Sequence, residues 1–92
     1  MSGVTSHPLS ATETALLEIW KDVLEIPVIG TNDEFLDLGG DSLAAMMCIS
    51  RVRRTLDYEL MVEDFFADHA TIATFASAID ADKDRSDAVA SV

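Results

Sequence analysis

Between Glu25 and Asp41 the helical spacing of apolar residues stops, and Pro27, Gly30, Asn32, Gly39 and Gly40 take its place. Glycine weakens a helix through its backbone freedom and proline through its missing N–H, so no continuous helix crosses this stretch. The chain must therefore fold as helical segments on either side of a long loop. Loops of such length inside a small domain usually carry function.

The segments on both sides carry helix signals. Ser10 followed by Glu13 is a capping-box pattern, and Leu16, Ile19, Trp20, Val23 and Leu24 then share one helical face, opposite Glu18, Lys21 and Asp22. This first helix is expected to end before Pro27. Inside the loop, Thr31 and Glu34 repeat the capping pattern on a small scale, and Phe35 and Leu38 are apolar enough to pin the loop to the core. A second helix is expected over Ser42 to Thr55, a stretch without Gly or Pro and rich in Ala, Leu, Met and Arg. At 100 degrees per residue, Ala45, Ile49, Val52 and Leu56 form its core stripe. Met61 to Phe66 reads as a short third helix carrying Val62, Phe65 and Phe66. Thr71 caps a fourth, whose Ile72, Phe75, Ala76 and Ile79 share a face. The expectation is all-α: four helices of unequal length and no strands.

With 92 residues the chain has apolar surface for one core only, and its 49% hydrophobic content argues for a folded domain. Residues 10–80 form that domain. Residues 1–9 and 81–92 hold little apolar content and read as flexible tails. The 17 carboxylates against 6 Lys plus Arg give a formal charge of -11, which repels phosphate backbones and anionic lipid surfaces. Nucleic acid and membranes are excluded on that basis as partners. One Cys leaves no internal disulfide, the first residues lack the basic and apolar regions of a signal peptide, and no apolar run reaches the length of a membrane span. A cytoplasmic location follows. One Cys and two distant His offer no metal-ligand spacing.

The loop delivers Gly39-Gly40-Asp41-Ser42-Leu43. Two glycines allow a sharp turn and leave room for a bulky group or another protein to approach Ser42. Ser42 also stands where a helix begins, so unpaired N–H groups and the positive end of the helix dipole favour a phosphate on its oxygen. A plainer role for Ser42, or for Asp41 beside it, is helix N-capping. Capping alone explains neither the glycine pair nor the other side of the helix. There Leu43, Met46, Met47 and Ser50 fall away from the core stripe, an apolar patch of the kind that suits transient contact with several partners, unless the loop folds over Met46 or Met47. The motif region holds no His or Lys to activate Ser42, so the catalyst must come from elsewhere.

The stretch from Asn32 to Leu43 resembles the attachment motif of the phosphopantetheine-dependent carrier proteins, in which an aromatic-containing loop leads into Leu-Gly-Gly-Asp/His-Ser-Leu. The resemblance covers roughly residues 10–80. It implies a four-helix bundle of acyl-carrier-protein type, with a long loop between the first two helices and a short third helix. It implies also that Ser42 accepts a 4′-phosphopantetheine arm from coenzyme A through a separate magnesium-dependent phosphopantetheinyl transferase, with Gly39, Gly40, Asp41 and Leu43 completing the attachment motif. The chain would then be a carrier and not an enzyme. The arm's thiol, not Cys48, would hold an acyl group as a thioester.

Gly39-Gly40-Asp41-Ser42-Leu43 followed by Arg51, Arg53 and Arg54 is similar to peptidyl carriers of nonribosomal peptide assembly, whereas fatty-acid carriers typically have an acidic second helix. Arginines in the last turns of a helix also complement its negative end without any partner. The resemblance implies an aminoacyl load, an adenylation enzyme that supplies it, and condensation or tailoring enzymes that use it in secondary metabolism; an acidic carrier that must meet many enzymes is better served as a monomer. Leu43, Met46, Met47, Arg51 and Arg54 are the expected partner surface. Beginning at Met1 with its own loose tails, the chain reads as a free-standing carrier, although an excised domain would read the same. Cys48, Asp57, Met61 and Ala70 depart from the family pattern, which often has a larger aliphatic, Gly, Pro and Pro at these places.

Two readings from other classes compete. Gly40-Asp41-Ser42-Leu43 also spells the serine motif of GDSL hydrolases, but the residue three before His69 is Phe66 where those enzymes have Asp, and Ala44 replaces the second Gly of a nucleophile elbow. An unmodified helical adaptor that binds through Met46 and Met47 is the other. Within the family, an acyl carrier of polyketide or fatty-acid type is the nearest alternative.

Overall fold

The structure, a computed structural model, describes residues 9–90, with side chains to residue 84. Among these residues the chain is all-helical, with α1 over Ala11–Leu24, α2 over Ser42–Leu56, a 3₁₀ turn over Val62–Phe66 and α3 over Ile72–Ala90. The expected tail at residues 1–9 lies almost wholly outside the described residues.

Helix α1 starts as a capping box. The Glu13 N–H donates to Ser10 Oγ at 3.0 Å, and the Ser10 N–H donates to Glu13 Oε1 at 2.9 Å. Two of the orphan donors of the helix start are thereby satisfied. Both α1 and α2 end in a left-handed residue, Glu25 at φ 57° and Asp57 at φ 54°. The position where related chains often carry Gly thus has the backbone that Gly favours, adopted here by Asp, whose short polar side chain tolerates it.

The core is a cluster of aromatic rings. Phe35 stands 5.1 Å from Trp20 and 4.9 Å from Phe65, both edge-to-face, and Phe65 lies 4.8 Å from Phe75. Leu16, Trp20, Phe35, Phe65, Ile72 and Ile79 are fully buried. Offset and edge-to-face contacts add about 0.5–1.5 kcal/mol per pair to the area that the rings bury. One polar atom is left over: the Trp20 indole N–H is buried without a hydrogen-bond partner among the described residues.

The long loop is tied down at its middle. The Phe35 N–H donates to the Ala70 carbonyl at 2.9 Å, the Ala73 N–H donates to the Thr31 carbonyl at 3.0 Å, and Glu34 and Thr71 form an isolated antiparallel bridge. The loop therefore rests on the start of α3, with Phe35 inserted into the core and Leu38 packed partly against it. A short turn forms in the loop, closed by the Asp33 N–H on the Gly30 carbonyl at 3.1 Å, but no hydrogen bond between Thr31 and Glu34 caps it among the described residues. Asp33 instead accepts the Gly30 N–H at 2.8 Å, while both Thr31 and Glu34 are committed to the α3 entrance.

Three further expectations need correction. The third helix is a five-residue 3₁₀ turn, so the bundle has three α-helices among the described residues. Of its apolar residues only Phe65 is buried, and Val62 and Phe66 are exposed. The stripe of α2 is buried at Ala45, Cys48 and Val52, with Ile49 and Leu56 at its margin. Helix α3 also runs past residue 80, where the C-terminal tail is expected to begin. No Gly or Pro interrupts it. Its polar residues reach back to the bundle: Thr12 donates to Asp80 at 2.6 Å, Tyr58 donates to Asp82, and Lys83 donates to the Leu56 carbonyl at 2.6 Å.

Candidate functional site

The Gly39-Gly40 turn gets its geometry from the core. Gly39 has φ +88°, a conformation that L side chains rarely adopt. Gly40 donates its N–H to the Phe35 carbonyl at 3.0 Å, and a Cβ on it would stand 2.3 Å from the Phe35 ring. The two glycines thus serve two needs, one of torsion and one of space. The space at Gly40 is filled by the chain's own Phe35, whereas at Gly39 a Cβ would meet nothing within 4 Å. Of the two glycines, Gly39 is accordingly the one that leaves open space in front of Ser42.

The turn delivers the chain to α2 with Asp41 as N-cap. Asp41 Oδ1 accepts the Ala44 N–H at 2.9 Å, and its carbonyl accepts the Ala45 N–H at 2.9 Å. Ser42 is therefore the first helical residue and has no capping duty. Its side chain is exposed. The amides of Ser42 and Leu43 have no hydrogen-bond partner among the described residues, and they stand at the positive end of a helix of 15 residues. This is a fit for a phosphate ester on Ser42 Oγ: an accessible hydroxyl, free N–H donors and a favourable dipole.

The exposed flank of α2 is apolar. Leu43 is 67%, Met46 58% and Met47 46% exposed, so the loop does not cover them. A shallow groove of about 300 Å³ runs beside Ser42, between the end of α1 and the start of α2, with walls that include Val23, Leu24, Leu43 and Met47. Further along α2, Met47, Ser50, Arg51 and Arg54 surround a smaller hollow of about 190 Å³. Arg51 is engaged within the chain, 2.5 Å from Asp22 of α1, and Arg53 pairs with Glu59 at 2.8 Å. Arg54 is exposed beside Met47. The structure thus groups Leu43 and Met47 at one hollow and Met47 and both expected arginines at the next.

Cys48 is fully buried on the opposite side of α2. Burial pushes its thiol from 9.0 up to about 12, against the opposing pull of Arg51. It therefore has neither access nor thiolate for acyl transfer. No three His, Cys, Asp or Glu residues are grouped to hold a metal among the described residues, and no described helix is long and apolar enough to cross a membrane. The role of Gly40 as a seat for Phe35 was missed by sequence reasoning. Its signal is the spacing of an aromatic residue five before a glycine at a helix entrance.

Comparison with known proteins places this geometry. The family model described as a phosphopantetheine attachment site matches residues 14–79. Tyrocidine synthase 3 of Brevibacillus parabrevis is 44% identical over 69 residues, 75% of this chain and 1% of the synthase. Bacitracin synthase 2 of Bacillus licheniformis is 39% identical over 72 residues, covering 78% of this chain and 3% of the synthase. The chain therefore spans only a few per cent of these curated relatives, between 1% and 3%. Among solved structures, a chain from the complex of a phosphopantetheine transferase with coenzyme A and a peptidyl carrier protein superposes with a TM-score of 0.75 at 35% identity, covering 84% of this chain and 99% of that one. An active-site mutant of a peptidyl carrier protein superposes with a TM-score of 0.73 at 34% identity, covering 86% of this chain and 87% of that one. The chain belongs to the family of phosphopantetheine attachment domains, non-catalytic carriers whose cofactor is 4′-phosphopantetheine.

Proposed function

We propose that this chain is a peptidyl carrier of nonribosomal peptide or hybrid secondary-metabolite biosynthesis, phosphopantetheinylated on Ser42 and loaded with an aminoacyl group. The observation that carries this reading is the exposed Ser42 hydroxyl at the first position of α2, relieved of capping by Asp41 and flanked by free amides.

In the attachment step Ser42 Oγ bonds to the β-phosphorus of coenzyme A. The bond from that phosphorus to the oxygen leading to 3′,5′-ADP breaks, and the hydroxyl proton leaves to a base. That base belongs to a phosphopantetheinyl transferase. The chain's contribution is presentation: Gly39 turns the backbone, Phe35 holds Gly40 in place, and the α2 start favours the phosphodiester charge. When bound, the group supplies a thiol that holds an acyl group as an activated thioester. An adenylation enzyme would load it, and condensation or tailoring enzymes would use it. Leu43, Met46, Met47 and Arg54 form the surface that these partners would meet, and the buried Cys48 offers no competing thiol.

The peptidyl class is supported by a further relative named as a dimodular nonribosomal peptide synthase, by the two peptidyl carrier structures, and by the three arginines near the end of α2. The chain acts as a monomer in this reading, in the cytoplasm, whether free-standing or as part of a larger assembly. The test is to give the phosphopantetheinylated chain ATP, adenylation enzymes and a panel of amino acids, and to measure intact mass. A gain of one aminoacyl group, removed by hydroxylamine, supports the peptidyl class. Loading only by malonyl or fatty-acyl transfer would replace it with the polyketide or fatty-acid class.

A further inference from the structure

The groove between α1 and α2 does not follow from an attachment motif, and its chemistry is specific. Ser42 is not among its lining residues, but Asp41 and Leu43, its neighbours along the chain, both line it, so the modification point stands at its rim. Val23 and Leu24 of α1 face Leu43 and Met47 of α2 across it, and Glu25 stands at its α1 end. Gly39 leaves the entrance open, because a side chain there would have no neighbour within 4 Å and none is present.

We infer that this groove is a docking site for the proximal half of the pantetheine arm carried by Ser42. The inference rests on attachment at Ser42. The segment of the arm next to the phosphate is a quaternary carbon with two methyl groups, followed by a hydroxyl and an amide N–H. The methyl groups match the side chains of Val23, Leu24, Leu43 and Met47 in a groove of mixed polarity, and the hydroxyl and amide are donors for the acceptor-only carboxylate of Glu25. A covalent tether starting at the groove's own edge holds the occupant at high effective concentration, so weak contacts suffice to seat it. The distal half, with thiol and load, extends beyond the groove.

The placement has a consequence for partners. A seated arm covers Leu43 and Met47, whereas Met46 is not part of the groove and stays exposed. An enzyme that docks on Leu43 and Met47 thus displaces the arm as it binds, and a partner that reads Met46 does not.

The test is solution NMR of the chain before and after loading from coenzyme A labelled with ¹³C at the two methyl groups. Intact mass certifies complete attachment. The expected result is nuclear Overhauser contacts from those methyls to the methyls of Val23, Leu24 and Met47, with shift changes at Val23 and Glu25 larger than at Met46. Complete mass gain with changes confined to residues 41–44 and no such contacts would overturn the groove while leaving attachment intact. Absence of any mass gain would overturn both, and the mass alone distinguishes the two failures.

Discussion

The Phe35 ring lies so close to Gly40 that a Cβ there would stand 2.3 Å from Cε2. Phe35 cannot retreat, because it is fully buried and edge-on to both Trp20 and Phe65. Gly40→Ala should therefore destabilise the fold by about 1–3 kcal/mol, as overpacking does. Phe35→Ala should cost about 3–5 kcal/mol alone. In the double variant, measured by denaturant unfolding, the two losses should fall short of additive, since truncating the ring makes the space that the added methyl group needs.

Asp41 and Ser42 divide two tasks, and stability measurements separate them. Asp41→Ala removes the bond to the Ala44 N–H and should cost about 1 kcal/mol, whereas Asp41→Asn keeps a good cap and should cost little. Ser42→Ala should change stability by less than about 0.5 kcal/mol, as expected of an exposed side chain without a fixed partner.

Much of this arrangement is legible in the sequence, and the remainder fails for physical reasons. Ser10 with Glu13, the Leu16/Ile19/Trp20 face, Thr71 as a cap and the Ile72 to Ile79 stripe depend on local spacing, which a sequence displays directly. Gly40 shows the limit. Its pattern suggests an open approach to Ser42, and only tertiary packing reveals that Phe35 fills that space. The end of α3 shows the same limit. Asp82 and Lys83 look like a solvated tail until Tyr58 and the Leu56 carbonyl are brought beside them. The Thr31 and Glu34 pattern matches a local cap but is overridden by pairing with residues 71 and 73.

Tyr58 and Asp82 test whether the extension of α3 belongs to the fold. Tyr58→Phe removes the donated hydrogen bond and should cost about 0.5–1.5 kcal/mol in thermal or denaturant unfolding. Ending the chain at Ile79 removes all three ties and should cost more than Tyr58→Phe. A chain ending there with unchanged stability would return residues beyond 80 to the status of a tail.

Cys48 links packing to pH. Its thiol is raised from 9.0 to about 12 by burial, so the unfolded chain ionises there before the folded one does. The stabilising preference is fully present below about pH 9 and is lost as pH rises from about 9 to 12. Cys48→Ala should flatten that part of the stability profile. In the native chain at neutral pH, iodoacetamide should leave Cys48 unmodified, and after arm attachment it should alkylate the arm's thiol alone.

The most direct measurement is the intact mass of the folded chain after incubation with coenzyme A, magnesium and a promiscuous phosphopantetheinyl transferase, alongside Ser42→Ala. The expected result is one phosphopantetheine-sized gain in the native chain and none in the variant, whose circular dichroism is unchanged. No gain on well-folded native chain, or an equal gain in Ser42→Ala, would contradict Ser42 as the attachment point.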